Sequence, residues 1–144
     1  FFQEDIEKVV ALAVLMPIVA SMGGNAGMQT LAVTIRTIAT NELTKNNFSQ
    51  NIIKEFSIGI LNGIIFAIIS AFIVQIWFQD NLLSMIIAIS MVLTMIIAGL
   101  FGILVPFTLK KLNIDPAIAS SVFVTTITDV IGFVSFLGVG AYFL

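Results

Sequence analysis

Residues Asn81–Leu109, NLLSMIIAISMVLTMIIAGLFGILVPFTL, decide the fold class, because none of these 29 side chains is ionisable. Val9–Ile35 and Phe56–Gln79 are also free of ionisable side chains, and Pro116–Leu144 carries a single charged one, Asp129. A helix crosses the hydrocarbon core of a bilayer with about 20 predominantly apolar residues, so each stretch is long enough to span once. The sequence therefore predicts an integral membrane protein with four spans.

The continuity of the apolar runs separates the two architectures that can cross a bilayer. Inside hydrocarbon the backbone must satisfy its own hydrogen bonds, which leaves helices or a closed barrel. A barrel strand alternates apolar and polar side chains over about 10 residues. Residues 64–69, IIFAII, are apolar throughout. We predict an all-α, polytopic helical bundle, one transmembrane domain over residues 1–144, with spans at about 9–38, 55–78, 82–109 and 116–143.

The composition excludes several classes of protein. Hydrophobic residues make up 59% of the chain and charged residues 10%, against roughly 45–50% and about 25% in soluble domains. The chain has no Cys and no His, which excludes a disulfide scaffold, a Cys/His metal domain and His-dependent catalysis. A net charge of −2 gives no electrostatic footprint for nucleic acid. We expect a lipid bilayer around the chain, no nucleic-acid partner and no bond-making enzyme activity.

The distribution of Lys and Arg predicts the orientation in the membrane. Five of the six basic residues flank the connections 40–55 and 110–115, which four spans place on one side: Arg36, Lys45, Lys54, Lys110 and Lys111. The positive-inside rule makes that side cytoplasmic, so we expect a multi-pass protein of the plasma membrane with both ends of this chain outside. An external amino-terminal end without a signal-peptide pattern predicts a further spanning helix upstream.

The outer end carries a small group of charges around one cation: Glu4, Asp5, Glu7 and Lys8. We interpret this group as solvated side chains at the membrane surface. Gathering of cations by the three acids is the alternative interpretation.

Asp129 is the only ionisable residue near the middle of a predicted span. A carboxylate at the centre of a spanning helix costs roughly 2.5–3.5 kcal/mol on insertion scales, and it indicates a functional site by default. Small or polar residues recur around it at spacings of three and four: Ser121, Thr125, Thr128, Gly132 and Ser135. We expect them to share its face and to line a water-filled path. The alternative is a buried Asp that holds the bundle together through hydrogen bonds to a neighbouring helix.

A second candidate site lies in the first span, at residues 17–29, PIVASMGGNAGMQ. Gly23 and Gly27 form a G-x-x-x-G pattern, which lets two helix backbones approach closely. Paired glycines also loosen a helix and can expose carbonyl oxygens to an ion, and two neighbouring amides add further oxygens. Helix packing alone is the alternative. If the segment lines an ion path, the backbone at these glycines and the amides of Asn25 and Gln29 supply the oxygens.

The available donors are hard oxygen ligands, which suit Mg²⁺, Ca²⁺ or Mn²⁺. Mg²⁺ keeps several of its waters and is often held by only one or two carboxylates. A two-fold dimer would bring two copies of Asp129 to one axis and supply such a pair. Two charges that cross an inside-negative potential of 100 mV gain roughly 4.6 kcal/mol, so entry needs no ATP. No P-loop pattern occurs in the chain.

These motifs, in this order, resemble the membrane domain of the MgtE magnesium channel family. The resemblance covers essentially the whole chain and is carried by Pro17, GGNAGMQ at 23–29, Arg36, Asp115-Pro116-Ala117 and TTITD at 125–129. It implies a five-helix membrane domain of which this chain contains helices two to five. It also implies a homodimer with a pore on its axis, lined by the first and last spans of this chain. Asp129 matches the family's ion-binding acid, and Gly24, Asn25, Gly27 and Gln29 match its motif on the other pore-lining helix.

The chain departs from the family pattern at two places. Met28 stands where many members carry Asn, and Ser121-Val122 stand where many carry Gly-Pro. Family members commonly carry a cytosolic sensor region with CBS domains before the first helix, and these residues contain no such region. The resemblance therefore leaves ion preference and gating open.

Three hypotheses of function follow. The first is a pore domain that moves hydrated Mg²⁺ down its electrochemical gradient, with Asp129 as the metal site and Mn²⁺ or Ca²⁺ as alternative ions. The second is a proton- or Na⁺-coupled carrier in which Asp129 cycles its proton. The third is a non-transporting membrane assembly module, in which the Gly23 and Gly27 face forms a dimer contact and Asp129 is a buried polar anchor.

Overall fold

The protein is a bundle of four long helices. The computed structural model describes residues 3–144, with side chains from residue 7 onward, so the side chains of Glu4 and Asp5 lie outside the described residues. The helices are α1 (Gln3–Ala39), α2 (Phe48–Phe78), α3 (Asn81–Lys111) and α4 (Pro116–Phe143). All four are long and apolar enough to cross a membrane, and residues 3–144 contain no strand. The predicted all-α fold with four spans is confirmed.

Helix α2 begins earlier than the start of the predicted span at residue 55. Asn47 closes the preceding turn, because its side-chain amide donates to the carbonyl oxygen of Glu42 at 2.6 Å. Phe48 then stacks on Phe107 of α3 with ring centroids 4.1 Å apart. The mainly polar segment 49–55, SQNIIKE, therefore marks a polar end of the span, and the helix continues through it. As a result, Glu55 lies two turns inside α2 and not at its edge.

An aspartate cap begins each of the helices α3 and α4. The carboxylate of Asp115 accepts a hydrogen bond from the backbone N–H of Ala117 at 2.9 Å, with Pro116 at the first helical position. Asp80 caps α3 in the same way and accepts from the N–H groups of Leu82 and Leu83. Each carboxylate satisfies donors that a helix start leaves free.

Helix α3 is the centre of the bundle. It packs against each of the other helices, and α1 also packs against α4. The side chains of Ile86, Ile87 and Met91 on α3 are almost completely buried. Helices α1 and α2 therefore meet mainly through α3, and a groove remains between them.

Small residues bring α2 and α3 into close contact. A methyl group added to Gly59 would lie 2.8 Å from Ile96 Cα, and one added to Gly63 would lie 2.9 Å from Val92 Cα. Helix association in a bilayer depends on such packing, because lipid is as apolar as the helices and hydrophobic burial gives no preference. Gly59 and Gly63 are therefore packing positions between α2 and α3.

The two connections predicted to be cytoplasmic lie at the same end of the bundle. Leu43 of the first connection is only 2% exposed and packs in one apolar cluster with Ile103 and Phe107, near the end of α3. Lys111 lies over the Phe107 ring at 4.8 Å from its centroid. Which compartment this end faces stays a prediction from the charge distribution.

A matched pair of glycine substitutions tests the contact between α2 and α3. Gly63→Ala should destabilise the protein by about 1–3 kcal/mol, because the added methyl group would overlap with the α3 backbone at Val92 and push the two helices apart. Gly138→Ala is the control, since a methyl group at Gly138 meets nothing within 4 Å, and it should be neutral or stabilising by up to about 1 kcal/mol. Thermal unfolding in detergent measures both. Equal melting temperatures for the two variants would contradict the close approach.

Candidate functional site between helices α1 and α4

Helices α1 and α4 are joined along a seam of small residues. One residue in every four on α4 is buried: Ser120, Val124, Thr128, Gly132, Phe136 and Gly140. Gly132 faces Ala20, since an added methyl would lie 2.9 Å from Ala20 Cα, and Gly140 faces Leu12 in the same way at 3.1 Å. Residue numbers increase along α4 as they decrease along α1 in these pairs. The helices are therefore antiparallel and in close contact over most of their length.

Gly27 lies where three helices converge. A methyl group at this position would lie 3.0 Å from Val124 Cγ1, 3.1 Å from Thr128 Cγ2 and 3.5 Å from the carbonyl oxygen of Ala98 on α3. One turn earlier, Gly23 faces the methyl group of Thr94. The G-x-x-x-G pattern is therefore a packing face within this chain, as its packing interpretation predicted.

Asp129 lies beside this seam, at position 14 of the 28 residues of α4. A methyl group at Gly24 would lie 4.0 Å from Asp129 Oδ1 and 3.9 Å from Thr128 Oγ1. The structure thus brings together two of the candidates, Gly24 and Asp129, from opposite ends of the sequence. The bare backbone of Gly24 leaves room next to the carboxylate that a larger side chain would fill.

The Asp129 side chain is half-buried and makes no hydrogen bond or ion pair with any part of the chain that the structure describes. If Asp129 only held the bundle together, its carboxylate would form hydrogen bonds with a neighbouring helix. Within one chain it forms none. An unpaired acid at mid-membrane depth is expensive unless water, a cation or a second subunit reaches it.

The polar residues around Asp129 divide between two environments. Thr125 is exposed, and its hydroxyl donates to the sulfur of Met28 at 3.7 Å, while Ser121 is half-buried. Thr128 is 1% exposed, donates to the carbonyl oxygen of Thr125 at 3.0 Å, and packs against α1 together with Gly132. Residues spaced by three and four lie on both sides of a given helical position. Here Thr125 lies on the outward side, whereas Thr128 and Gly132 lie in the seam with α1.

Asn25 and Gln29 lie on the other side of α1. They line a cavity of about 560 Å³ together with Asn62 of α2 and Met95 of α3, and Asp129 is not among the lining residues. Within one chain, the four residues that match the family's pore-lining motif therefore lie on two sides of α1. Gly24 and Gly27 face α4, whereas Asn25 and Gln29 face α2.

Sequence reasoning missed Glu55, Thr30 and Asn62. The hydroxyl of Thr30 donates to Glu55 Oε2 at 3.0 Å, and all three residues line a cavity of about 170 Å³. The second span is predicted to start at residue 55, so the prediction places Glu55 at the end of that span and outside any site. Helical periodicity supplies the signal that could have found the pair, since Glu55 and Asn62 are seven residues apart and share one face.

The donors around Asp129 suit a hydrated cation better than a stripped one. Over the described residues, no group of three or more His, Cys, Asp or Glu side chains converges. One carboxylate with nearby hydroxyl and carbonyl oxygens can contact the water shell of a hard divalent ion. A cage of protein ligands would need more acids than one chain offers.

Four spanning helices and an unpaired acid at mid-membrane depth define a multi-pass membrane protein of the helical-bundle class. The family model MgtE, described as a divalent cation transporter, matches residues 16–139. The chain therefore belongs to the MgtE family, as the sequence motifs predicted.

Three relatives match along almost the whole chain. The chain is 37% identical over 144 residues to the magnesium transporter MgtE of Bacillus subtilis. It is 34% identical over 143 residues to that of Thermus thermophilus and 29% identical over 143 residues to that of Enterococcus faecalis. It spans 32% of the length of each relative.

A double-cysteine variant tests the register of the seam. Gly27→Cys with Val124→Cys should form a disulfide, because a Cβ at Gly27 lies 3.0 Å from Val124 Cγ1, and the two Cβ atoms thus fall within the bonding range of about 3.5–4.5 Å. The chain has no native cysteine that could compete. Gly27→Cys with Val122→Cys is the control, since Val122 is 68% exposed. Mass spectrometry after mild oxidation reads out both, and a linked control with an unlinked seam pair would contradict this register.

Proposed function

We propose that this chain is the ion-conducting part of a divalent-cation transporter, with Mg²⁺ as the transported ion and Asp129 as the residue that contacts it. The ion moves with most of its waters, down its electrochemical gradient, and the path passes the outward side of the α1 and α4 seam. Family membership and the names of the three relatives support the substrate class. The chain's own residues support the position of the ion site.

The unpaired carboxylate of Asp129 carries the proposal. It lies at mid-membrane depth beside Gly24, where the absence of a side chain leaves the acid accessible. Thr125 adds a hydroxyl on the same outward side, one turn away along α4. A negative charge with oxygen donors and without a basic partner attracts a cation and holds its water shell by hydrogen bonds.

A homodimer completes the site in this proposal. One carboxylate neutralises half of the charge of a divalent ion, and a two-fold axis beside Asp129 supplies a second. Within one chain Asn25 and Gln29 face α2, so the pore-lining role that the resemblance implies for them stays a prediction. In the membrane, the connections 40–47 and 112–115 face the cytoplasm, following the positive-inside rule.

Mg²⁺ uptake by the intact transporter tests the role of Asp129. Asp129→Asn keeps the size of the side chain and removes the charge. Mutation of a residue that only orients a metal ligand lowers affinity or activity about 10- to 100-fold. Because Asp129 contacts the ion itself in this proposal, uptake should fall by more than that. Uptake into Mg²⁺-starved cells or vesicles at fixed membrane potential, with protein level controlled, measures this. Asp129→Glu should retain part of the activity, because the charge is preserved.

Glu42→Gln is the matched control, because Glu42 is an exposed acid in the first connection and should transport normally. Wild-type uptake by Asp129→Asn would refute the ion site. Flux that follows a proton or Na⁺ gradient at fixed voltage would favour the coupled carrier. A wild-type protein without any ion flux would favour the assembly module.

The dimer axis can be tested with single cysteines. Thr125→Cys should cross-link two subunits with Cd²⁺ or a short bifunctional thiol reagent, because the two copies face each other across the path. Ile68→Cys is the control, since Ile68 is 65% exposed on α2, away from the seam. Electrophoresis of the intact protein with any other cysteines replaced reads out both. Cross-linking at Ile68 and not at Thr125 would contradict an axis beside α4.

A further inference from the structure

The groove between α1 and α2 collects polar side chains from both helices. Two adjoining cavities of about 170 Å³ and 560 Å³ share four lining residues, among them Gln29 and Asn62. Thr30 and Glu55 line the smaller cavity and Asn25 the larger one. Apart from these side chains, most of the lining is apolar. Polar groups thus converge on one space from helices that are otherwise almost entirely apolar.

Glu55 is the charged group of this groove. Its carboxylate accepts one hydrogen bond, from the Thr30 hydroxyl at 3.0 Å, and it makes no ion pair with any residue in the described range. The neighbouring Lys54 is exposed, outside both cavity linings. Oε1 and most of the acceptor capacity of the carboxylate remain available.

The backbone leaves space at this position. Gly59 and Gly99 line the smaller cavity, and a methyl group at Gly99 would lie 3.4 Å from the carbonyl oxygen of Glu55. The backbones of α2 and α3 therefore approach each other closely at Glu55. The volume of about 170 Å³ accommodates several water molecules, each of which occupies about 30 Å³ in the liquid.

The groove is distinct from the Asp129 site. Thr30 lies six residues beyond Gly24 along α1, about 9 Å closer to the first connection at 1.5 Å per residue. The two carboxylates also lie on different sides of α1, because Gly24 faces α4 and Gln29 faces α2. Glu55 is about 10 Å from the start of α2, a helix of 31 residues that is longer than the hydrocarbon core. Water can therefore reach the groove from that end.

We infer that Glu55, with the amide oxygens of Gln29 and Asn62, forms a second binding site for a partly hydrated divalent cation in the groove between α1 and α2. Carboxylate and amide oxygens are the donors that hard divalent ions select. The distance between the two helices favours an ion that keeps part of its water shell, because protein oxygens then act through bound water. A bound cation would link α1 to α2, which otherwise meet mainly through α3.

Lipid is a poor occupant of this groove, because acyl chains would leave an acid and two amides without partners. A cation with its waters satisfies all three groups. The inference does not rest on transport through the Asp129 site, since the acid, the side of α1 and the depth are different.

Mn²⁺ as a paramagnetic stand-in for Mg²⁺ tests the site. A nitroxide attached at Ile58→Cys, on a residue that lines the smaller cavity, reports a nearby Mn²⁺ by broadening of its spectrum. The intact protein carries Asp129→Asn in this experiment, so that an ion at that acid contributes nothing. We expect Mn²⁺ to broaden the label and Mg²⁺ to reverse the broadening. A label at Tyr142→Cys, at the far end of α4, should not respond.

Glu55→Gln should weaken Mn²⁺ binding about tenfold or more, because the affinity of such sites follows the charge of the ligands. The glutamine still accepts the Thr30 hydrogen bond, so the contact between the helices is kept. Thr30→Val is the matched control, since it removes that hydrogen bond and keeps the charge. It should change the affinity far less than Glu55→Gln, whereas a purely structural role of Glu55 predicts similar effects of the two.

Asn62→Leu gives an independent test that keeps the charge of Glu55 and removes an amide oxygen, and it should also weaken Mn²⁺ broadening. Broadening that survives both Glu55→Gln and Asn62→Leu, or that is absent when Glu55 is intact, would overturn the inference. Failure of the Asp129 uptake experiment leaves this result unaffected, because broadening at Ile58 requires no transport.

Discussion

Contact between helix backbones at small residues is the constraint on which the rest of this structure depends. In hydrocarbon, burial of apolar side chains gives no advantage over contact with lipid, so close packing decides which helices meet. Gly59 and Gly63 let α2 lie on α3, and Gly102 lies close enough to α1 that an added methyl would be 2.9 Å from the carbonyl oxygen of Gly27. The seam between α1 and α4 uses Gly27 and Gly132 in the same way. Four helices that are apolar on almost every face thereby acquire one defined arrangement.

The same close contacts determine where the polar groups of the chain lie. The seam places Gly24 next to Asp129 because Gly27 and Thr128 are in contact one turn away. On the other side of α1, the approach of α2 to α3 leaves Glu55 facing Thr30. Both carboxylates lack an ionic partner in the described part of the chain. Packing therefore does more than hold the bundle together, since it also sets which oxygen atoms can reach a cation.

Sequence patterns predicted the four helices because absence of charge over more than 20 residues is a strong and local signal. The start of α4 is a similarly local signal, because Asp115 caps the helix and Pro116 occupies its first position. The side of α1 that each residue faces could not be predicted, because α1 is apolar on almost all faces and its partners are set by contacts distant in sequence. The resemblance groups Asn25 and Gln29 with Asp129 as pore-lining residues, whereas within this chain they face α2. Charge indicates where polar surroundings begin, so the sequence predicts the edge of the second span at Glu55, whereas α2 extends beyond that point to Phe48.

Helix α1 is a wall shared by both carboxylate sites, and its rotation is tightly restricted. Gly23 meets the Thr94 methyl on α3, and a methyl on Gly102 would lie 2.7 Å from Thr30 Cβ. A rotation of α1 that opened the space beside Asp129 would move Gly24 away from α4 and swing Gln29 and Thr30 relative to α2. The Thr30 hydroxyl would then lose Glu55 as its acceptor. Because both acids face residues of α1, a change in the position of this helix alters the geometry at both, without any contact between the two acids.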